Sequence, residues 1–332
     1  MTPAPLAERE AIVNRTPALL VILFACVITT GQLSAEDTYP ARPVRIVSPY
    51  AAGGTPDTVA RVIAEQLTQR LKQSFYVENR TGANGTIATE NVAAAPSDGY
   101  TLLLASDGPI VITPLLRRSG NPLDRLVPIN LTAESAFVLM ARNDLQVKTL
   151  ADVIALAKKQ PLTFGSAGVG SQHHLAGELL KSRAGIDLIH VPYKGSAEAL
   201  GDLVGKRIDL LFGGIPPSLP YIEAGSVRPI SVTSEQRSKK LPGIPTFSEQ
   251  GFPGYRVLFW AGMMAPTGTS ASTINRLNQA IDESIKSPEV VERFEKIGAD
   301  IVNAGPQDFA TRLRSDQAVW GALIEQTGLR AN

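Results

Sequence analysis

A repeated unit constrains this chain most: a short apolar run, a glycine- or serine-rich turn, then apolar residues at helical spacing. "VRIVSPY" (44–50) reads as a buried strand, and "PDTVARVIAEQLTQRL" (56–71) as a helix with Val59, Val62, Ile63, Leu67 and Leu71 on one face. Thr55 suits the cap of that helix and Pro56 its first position. "SFYVEN", the loop "RTGANG" and "TIATENVAAA" repeat the unit until Pro96 stops it, and "YTLLLAS" with the loop "SDGP" starts a third. The pattern resumes at "LTFGS", "AGVG" and "QHHLAGELLKSRAG", where Ser171 is the expected cap and Gly185 the expected stop. "IHVPYKG" leads into "AEALGDLVG", opened by Ser196, and "RIDLLFGG" and "VRPISVTS" are two more strands. Strands that alternate with helices bury both faces of a sheet, so an α/β fold with mostly parallel sheets is predicted. Two groups of units predict two sheets, hence two lobes.

In open α/β sheets the ligand sits beyond the carboxyl ends of the strands. Those ends are Gly53-Gly54, Gly82–Gly85 and Ser106-Asp107-Gly108 in the first group. In the second they are Ser166–Ser171, Tyr193–Ser196 and Gly213-Gly214. Helix amino termini offer N–H groups and a partial positive charge, and glycine lets a ligand come close. Two facing sets would clamp a small anion, each charge-assisted hydrogen bond contributing about 1.5–3 kcal/mol. Any one of these loops also reads as an ordinary tight turn. Six with Gly or Ser at the same strand end favour the ligand reading.

Other chemistries lack their residues. The 332-residue chain has a net charge of +1 and no basic block, which argues against nucleic acid or an anionic membrane as main partner. No GxSxG or SxxK motif occurs, and "GVGSQH" lacks the third glycine of a dinucleotide fingerprint. His173 and His174 are adjacent on a predicted helix, about 100° apart, and cannot grip one metal together. No metal, no cofactor and no catalytic residue is therefore expected, and the chain is not read as an enzyme. At the start, Arg9 and Arg15 precede the short apolar stretch inside "TPALLVILFACVITT", followed by "GQLSAED". This reads as a secretory signal over 1–35 cleaved after Ala35, with an uncleaved membrane anchor as the alternative. Cys26, the single cysteine, lies in that leader. "LFAC" faintly resembles a lipoprotein processing site, although Phe24 is bulky for one.

The stretches "PYAAGGTPD", "VENRTGANG", "SDGYTLLLAS", "GSAGVGSQHHLAGEL", "HVPYKGSAEAL" and "LPGIPTFSEQGFPGY" occur in an order that resembles one family. It is that of the substrate-binding proteins of tripartite tricarboxylate transporters, also called Bug receptors. The resemblance implies a two-lobed periplasmic binding protein fold, type II-like, with a central ligand cleft and two crossing segments. It implies lobes formed by 36–138 with 258–332 and by 139–257, hinged near "FVLMARND" and "YRVLFWAGMMAP". It implies a periplasmic receptor, acting as a monomer, that captures a small organic carboxylate and delivers it to membrane transporter subunits. A sensing subunit for a signalling partner would have the same cleft, and an α/β hydrolase is the third class. Carried over by position, the ligand-binding residues are Ala52, Gly53, Gly54 and Asp57 of the first loop, and Ser106, Asp107 and Gly108 of the third strand end. The second lobe contributes Ser166, Ala167, Gly168, Ser171, His174, Tyr193, Lys194 and Gly213, and Trp260 lies near the crossing strands. Two departures stand out. Gly213-Gly214 replaces an Asp-Asn pair, which would leave room for a ring or a long chain. Asp107 replaces a small hydroxyl or apolar residue, and its acid group would disfavour a neighbouring carboxylate and favour an amine, a hydroxyl or a bound water; it reads equally as the cap of the following turn. An organic acid, aromatic or long-chained, is expected over a compact one. Gly53 and Gly54 are expected to turn their N–H groups to it, with Asp57 either turned away as a first-turn residue favoured by the helix dipole or holding a water or a ligand hydroxyl.

Overall fold

Each predicted unit folds as a strand followed by a helix. The computed structural model describes residues 1–2, 39–53 and 55–330. The leader from residue 3 to Ala35, Cys26 included, and Gly54 lie outside the described residues. The chain divides after Tyr39, and Pro40–Asn332 builds the α/β fold.

The strands are β1 (Val44–Ser48), β2 (Phe75–Asn79), β3 (Thr101–Ala105), β4 (Leu126–Arg142), β5 (Leu162–Ser166), β6 (Leu188–Pro192), β7 (Leu210–Gly214), β8 (Val227–Val232), β9 (Leu258–Pro266) and β10 (Asp300–Ala304). The helices are α1 (Thr55–Leu71), α2 (Thr86–Ala93), α3 (Thr113–Arg117), α4 (Leu150–Ala157), α5 (Gln172–Ala184), α6 (Ser196–Val204), α7 (Ile215–Glu223), α8 (Ala271–Ile285), α9 (Pro288–Lys296) and α10 (Pro306–Thr327). None of them is long and apolar enough to cross a membrane.

Two sheets share β4. One has the order β2-β1-β3-β9-β4 with β10 on the far side of β4, and the other the order β6-β5-β7-β4 with β8 beyond. Both therefore place the second, first and third strands of a βα group in the same order, followed by a crossing strand. Only those groups are parallel: β1 with β2 and β3, and β5 with β6 and β7. The expectation of mostly parallel sheets is corrected here, because β4 pairs antiparallel with β7, β8, β9 and β10, and β9 does so with β3. A strand that passes from one sheet into the other enters it from the far end, so it runs against its neighbours.

β4 changes partner midway. Leu126–Ala136 pairs with β9, and from Phe137, opposite Gly214, the strand pairs with β7. The chain returns through Tyr255–Val257. Thr233 ties both crossings, since its buried hydroxyl accepts from Phe137 N at 2.9 Å and donates to Val257 O at 2.6 Å. Tyr255 stacks on Phe247 at 3.9 Å and donates its hydroxyl to Ala176 O of α5 at 2.6 Å.

The helices bury the faces that their spacing marks. Val59, Val62, Ile63 and Leu67 of α1 are fully buried, each contributing about 1.5–3 kcal/mol. Ser171 caps α5 by accepting from His174 N at 3.2 Å, and Gly185 ends it in the left-handed conformation. α8 and α9 pack back on α1: Arg70 of α1 pairs with Glu283 at 3.0 Å, and Arg293 with Glu65 at 2.7 Å.

Candidate functional site

The loop after β1 is held from below by Asp57. Its carboxylate, 2% exposed, accepts from Gly53 N at 3.0 Å, Arg61 Nε at 2.8 Å and Asn79 Nδ2 at 2.7 Å. Burial alone would raise its pKa, but these hydrogen bonds and the Arg61 charge hold it below the ordinary value. The expectation that the Gly53 N–H faces the ligand is thereby corrected, since it points down to Asp57, and Asp57 takes the turned-away alternative, bound to its loop, α1 and β2. Ala52 and Gly53 themselves are exposed at the loop tip.

At the end of β3, Ser106 hydrogen-bonds the Tyr50 hydroxyl, and both Ser106 and Asp107 are buried. Asp107 precedes a short π-helical turn, Gly108–Ile112, whose first residue is also buried. Its Oδ1 accepts from Gln172 Nε2, in the first turn of α5. That contact joins a strand end of one sheet to a helix start on the other. Gly170 makes the approach possible, since a Cβ there would lie 2.5 Å from Leu116 Cδ1 of α3. Burial pushes the Asp107 carboxyl up to about 8, against the pull of the Gln172 hydrogen bond.

The loop after β5 closes on itself. Ser166 Oγ bonds His190 Nε2 at 2.6 Å, accepts from Gly168 N at 3.0 Å and donates to Gly168 O at 3.1 Å. Ser171 Oγ also donates to Gly168 O, at 2.7 Å. His174 Nδ1 accepts from Gly170 N at 3.2 Å, which puts its ring proton on Nε2, 3.7 Å from Glu178 Oε1. The His174 and His190 rings stack 3.7 Å apart. Burial, then the charges of His190 and Lys181, take His174 down to about 3; burial, then Lys181, takes His190 to about 4. Two stacked imidazoles thus stand neutral beneath the loop and fix its Ser166–Ser171 path.

The next strand ends supply walls. The Tyr193 hydroxyl donates to Asp202 Oδ2 at 2.9 Å, and burial with that hydrogen bond takes it up to about 12. Lys194 is exposed, and its backbone N–H meets Glu198 Oε2 at 3.3 Å. Ala167 is half-buried beside Ser166. Gly213 does not leave the room expected of it: a Cβ there would lie 2.6 Å from Met140 Cε and 3.0 Å from Ser218 Oγ. The glycine admits close packing of β7 on β4 and α7. A cavity of about 170 Å³ does lie beside Gly213 and Gly214, bounded by Ser196, Leu200 and Tyr221. Trp260 is fully buried, with its indole N–H on Asp316 Oδ2 at 2.9 Å and its ring edge-on to Phe309 at 5.2 Å. It braces β9 against α10.

The fold thus brings Ser106, Asp107 and Gly108 together with the loop running from Ser166 to Ser171. Tyr193 joins that loop through its backbone N–H to Ser166 O at 3.1 Å. Asn79, Tyr50, Gln172 and His190 were missed in the sequence. Gln172, next to a cap in "GSQHH", carried a signal; His190 became visible only through its register opposite Phe164. Among the described residues no group of three acidic, histidine or cysteine side chains could hold a metal.

This arrangement, with βα loops of two sheets meeting across a double crossing, defines a periplasmic solute-binding protein. Solved relatives share it. BugD superposes with a TM-score of 0.75 at 34% identity, covering 89% of this chain and all of its own (100%). Rpa4515 of R. palustris, solved with adipate, gives 0.78 at 34% identity over 88% of this chain and 99% of its own. MatC from Rhodopseudomonas palustris, solved with bound malate, gives 0.73 at 29% identity over 86% and 100%. BugT of Bordetella pertussis is 35% identical over 94% of this chain and 98% of its own. Residues 59–329 match the model of the tripartite tricarboxylate transporter family receptor. The chain belongs to that family.

Proposed function

We propose that this protein is a periplasmic receptor that captures a small organic carboxylate between the loops of its two sheets and delivers it to membrane transporter subunits. The observation that carries the reading is the meeting of Asp107, at the end of β3, with Gln172, at the start of α5. A clamp needs polar groups from both lobes at one point, and this contact between the two sheets' loops supports one. The lobes are 36–138 with 258–332, and 139–257, moving about Phe137 and Val257. Export through the leader, with cleavage after Ala35, and action as a monomer without catalysis complete the reading. Adipate and malate, held by two relatives of similar fold, support a small carboxylate as the ligand class, and the sequence adds an aromatic acid of like size.

Thermal shift and calorimetry of the mature protein with adipate, malate and benzoate test it. A bound acid at 100 times its Kd raises stability by about 2.7 kcal/mol. Binding without turnover supports a receptor. Absence of binding by all three, or chemical conversion of any, defeats the reading.

A further inference from the structure

Two buried side-chain atoms among the described residues lack a hydrogen-bond partner, Asp107 Oδ2 and His173 Nδ1. They lie on either side of Gln172: one on the carboxyl that Gln172 grips, the other on the residue that follows it. Asp107 is 1% exposed. The donor on its Oδ1 is a neutral amide, and the Arg312 charge that would favour ionisation is outweighed by that of Asp316. A carboxyl buried without a cation takes up a proton rather than bear the cost of its charge. Since Gln172 donates to Oδ1, the proton resides on Oδ2. That oxygen is then a hydrogen-bond donor with nothing in the fold to receive it, sealed at the junction of the two loop sets, so a ligand reaches it when those sets part.

We propose that Asp107 determines the ligand class of this site by standing as a neutral carboxylic acid whose Oδ2–H donates to a carboxylate of the bound acid. The proposal rests on the receptor reading above. It reverses what the sequence suggests of Asp107. A neutral acid does not repel an anion, and its O–H···O⁻ bond is of the stronger, charge-assisted kind. An amine ligand would demand the ionised form and would release a proton on binding.

The sign of the pH dependence follows. Free Asp107, raised to about 8 by burial, loses its proton above that pH, and a carboxylate beside it raises the pKa further. Binding at high pH must therefore take up a proton, and affinity falls as pH climbs through 8. The groups facing Asp107 are Gln172 from α5, Asp316 and Arg312 from α10, and Tyr50 from the loop after β1. Tyr50 is pushed far up by burial. The nearby imidazoles of His173, His174 and His190, at about 4, 3 and 4, are neutral throughout this window.

Calorimetry from pH 6 to 9, in buffers of different ionisation enthalpy, tests this with whichever of adipate, malate or benzoate binds tightest. The wild type is expected to weaken about tenfold between pH 7 and 9, with close to one proton taken up per ligand at pH 9. Asp107→Leu removes the donor and is expected to weaken binding tenfold or more. Asp107→Asn restores a neutral donor, and is expected to recover to within about threefold of the wild type at pH 7 and to lose the pH dependence. Proton release, a flat wild-type profile, or an Asn variant as weak as the Leu variant would overturn the proposal while leaving the receptor reading intact. No binding of any acid to the wild type overturns both.

Discussion

The carboxylate of Asp57 accepts from Gly53, Arg61 and Asn79, so truncating it strips partners from three donors at once. Asp57→Ala is expected to cost about 2–3 kcal/mol of stability, discounted because Arg61 is half exposed and regains water. Urea unfolding checks this, and a loss below about 0.5 kcal/mol would mean that the loop is held by something else. Histidine titration gives a second test. Burial lowers His173 from its ordinary 6.5 to about 4. The unfolded chain then binds more protons between those values, so the stability this residue contributes is full above pH 6.5 and is lost as pH falls towards 4. Asp107 works in the other direction: with its pKa raised to about 8, its contribution is full at low pH and is lost as pH rises through 8. His173→Phe keeps a ring against Phe137 and removes the basic nitrogen. It is expected to recover about 2 kcal/mol of the stability lost between pH 7 and 5, as read from denaturation midpoints. An acid limb as steep as the wild type's would refute the assignment. At this scale the sequence reveals chemistry without direction. Ser166, Ser171, Asp57 and Tyr193 were all legible as polar groups at strand ends, but a hydroxyl that meets a ligand and one that closes its own loop look the same in sequence. Register and loop path separate them.

The βα units were legible because their period is local. Apolar positions three and four apart fix a helix, a short apolar run between turns fixes a strand, and the boundaries of β1, α1, β5 and α5 fall within a residue or two of the reading. β4 was not legible as one strand. Its seventeen residues include Pro128, Asn130 and Thr132, and two register shifts, and it serves two sheets in turn. No local period survives a change of partner. β10, "DIVNA", is too short and too polar to announce itself. Thr233 shows how such irregular joints are secured, one buried hydroxyl replacing the ladder that two crossings interrupt. Thr233→Val keeps the shape but leaves Phe137 N–H without its acceptor, which is expected to cost about 1–3 kcal/mol. Chemical denaturation reads it, and a variant as stable as the wild type would show that the crossings hold without this tie.

At the scale of the whole molecule, the proposed receptor predicts lobes that move about the two crossings and loops that supply the contacts closing them. Phe137 and Val257 are joined through Thr233, and the proposed hinge places its axis there, so that rotation would swing β3 and α5 apart. The Asp107–Gln172 hydrogen bond spans the gap and favours the closed arrangement. One such bond is worth about 1 kcal/mol, which is roughly a fivefold shift in the ratio of closed to open molecules. Gln172→Ala is therefore expected to enlarge the radius of gyration of the unliganded protein in solution scattering, with a saturating organic acid returning it to the wild-type value. The same variant should bind that acid more weakly by about the same factor, because part of the binding energy is diverted to closing the lobes. A clamp predicts that the two effects move together. If scattering profiles of wild type and variant coincide with and without the acid while affinity still falls, Gln172 acts as a contact residue of a rigid cleft and the hinge between 138 and 258 does not operate.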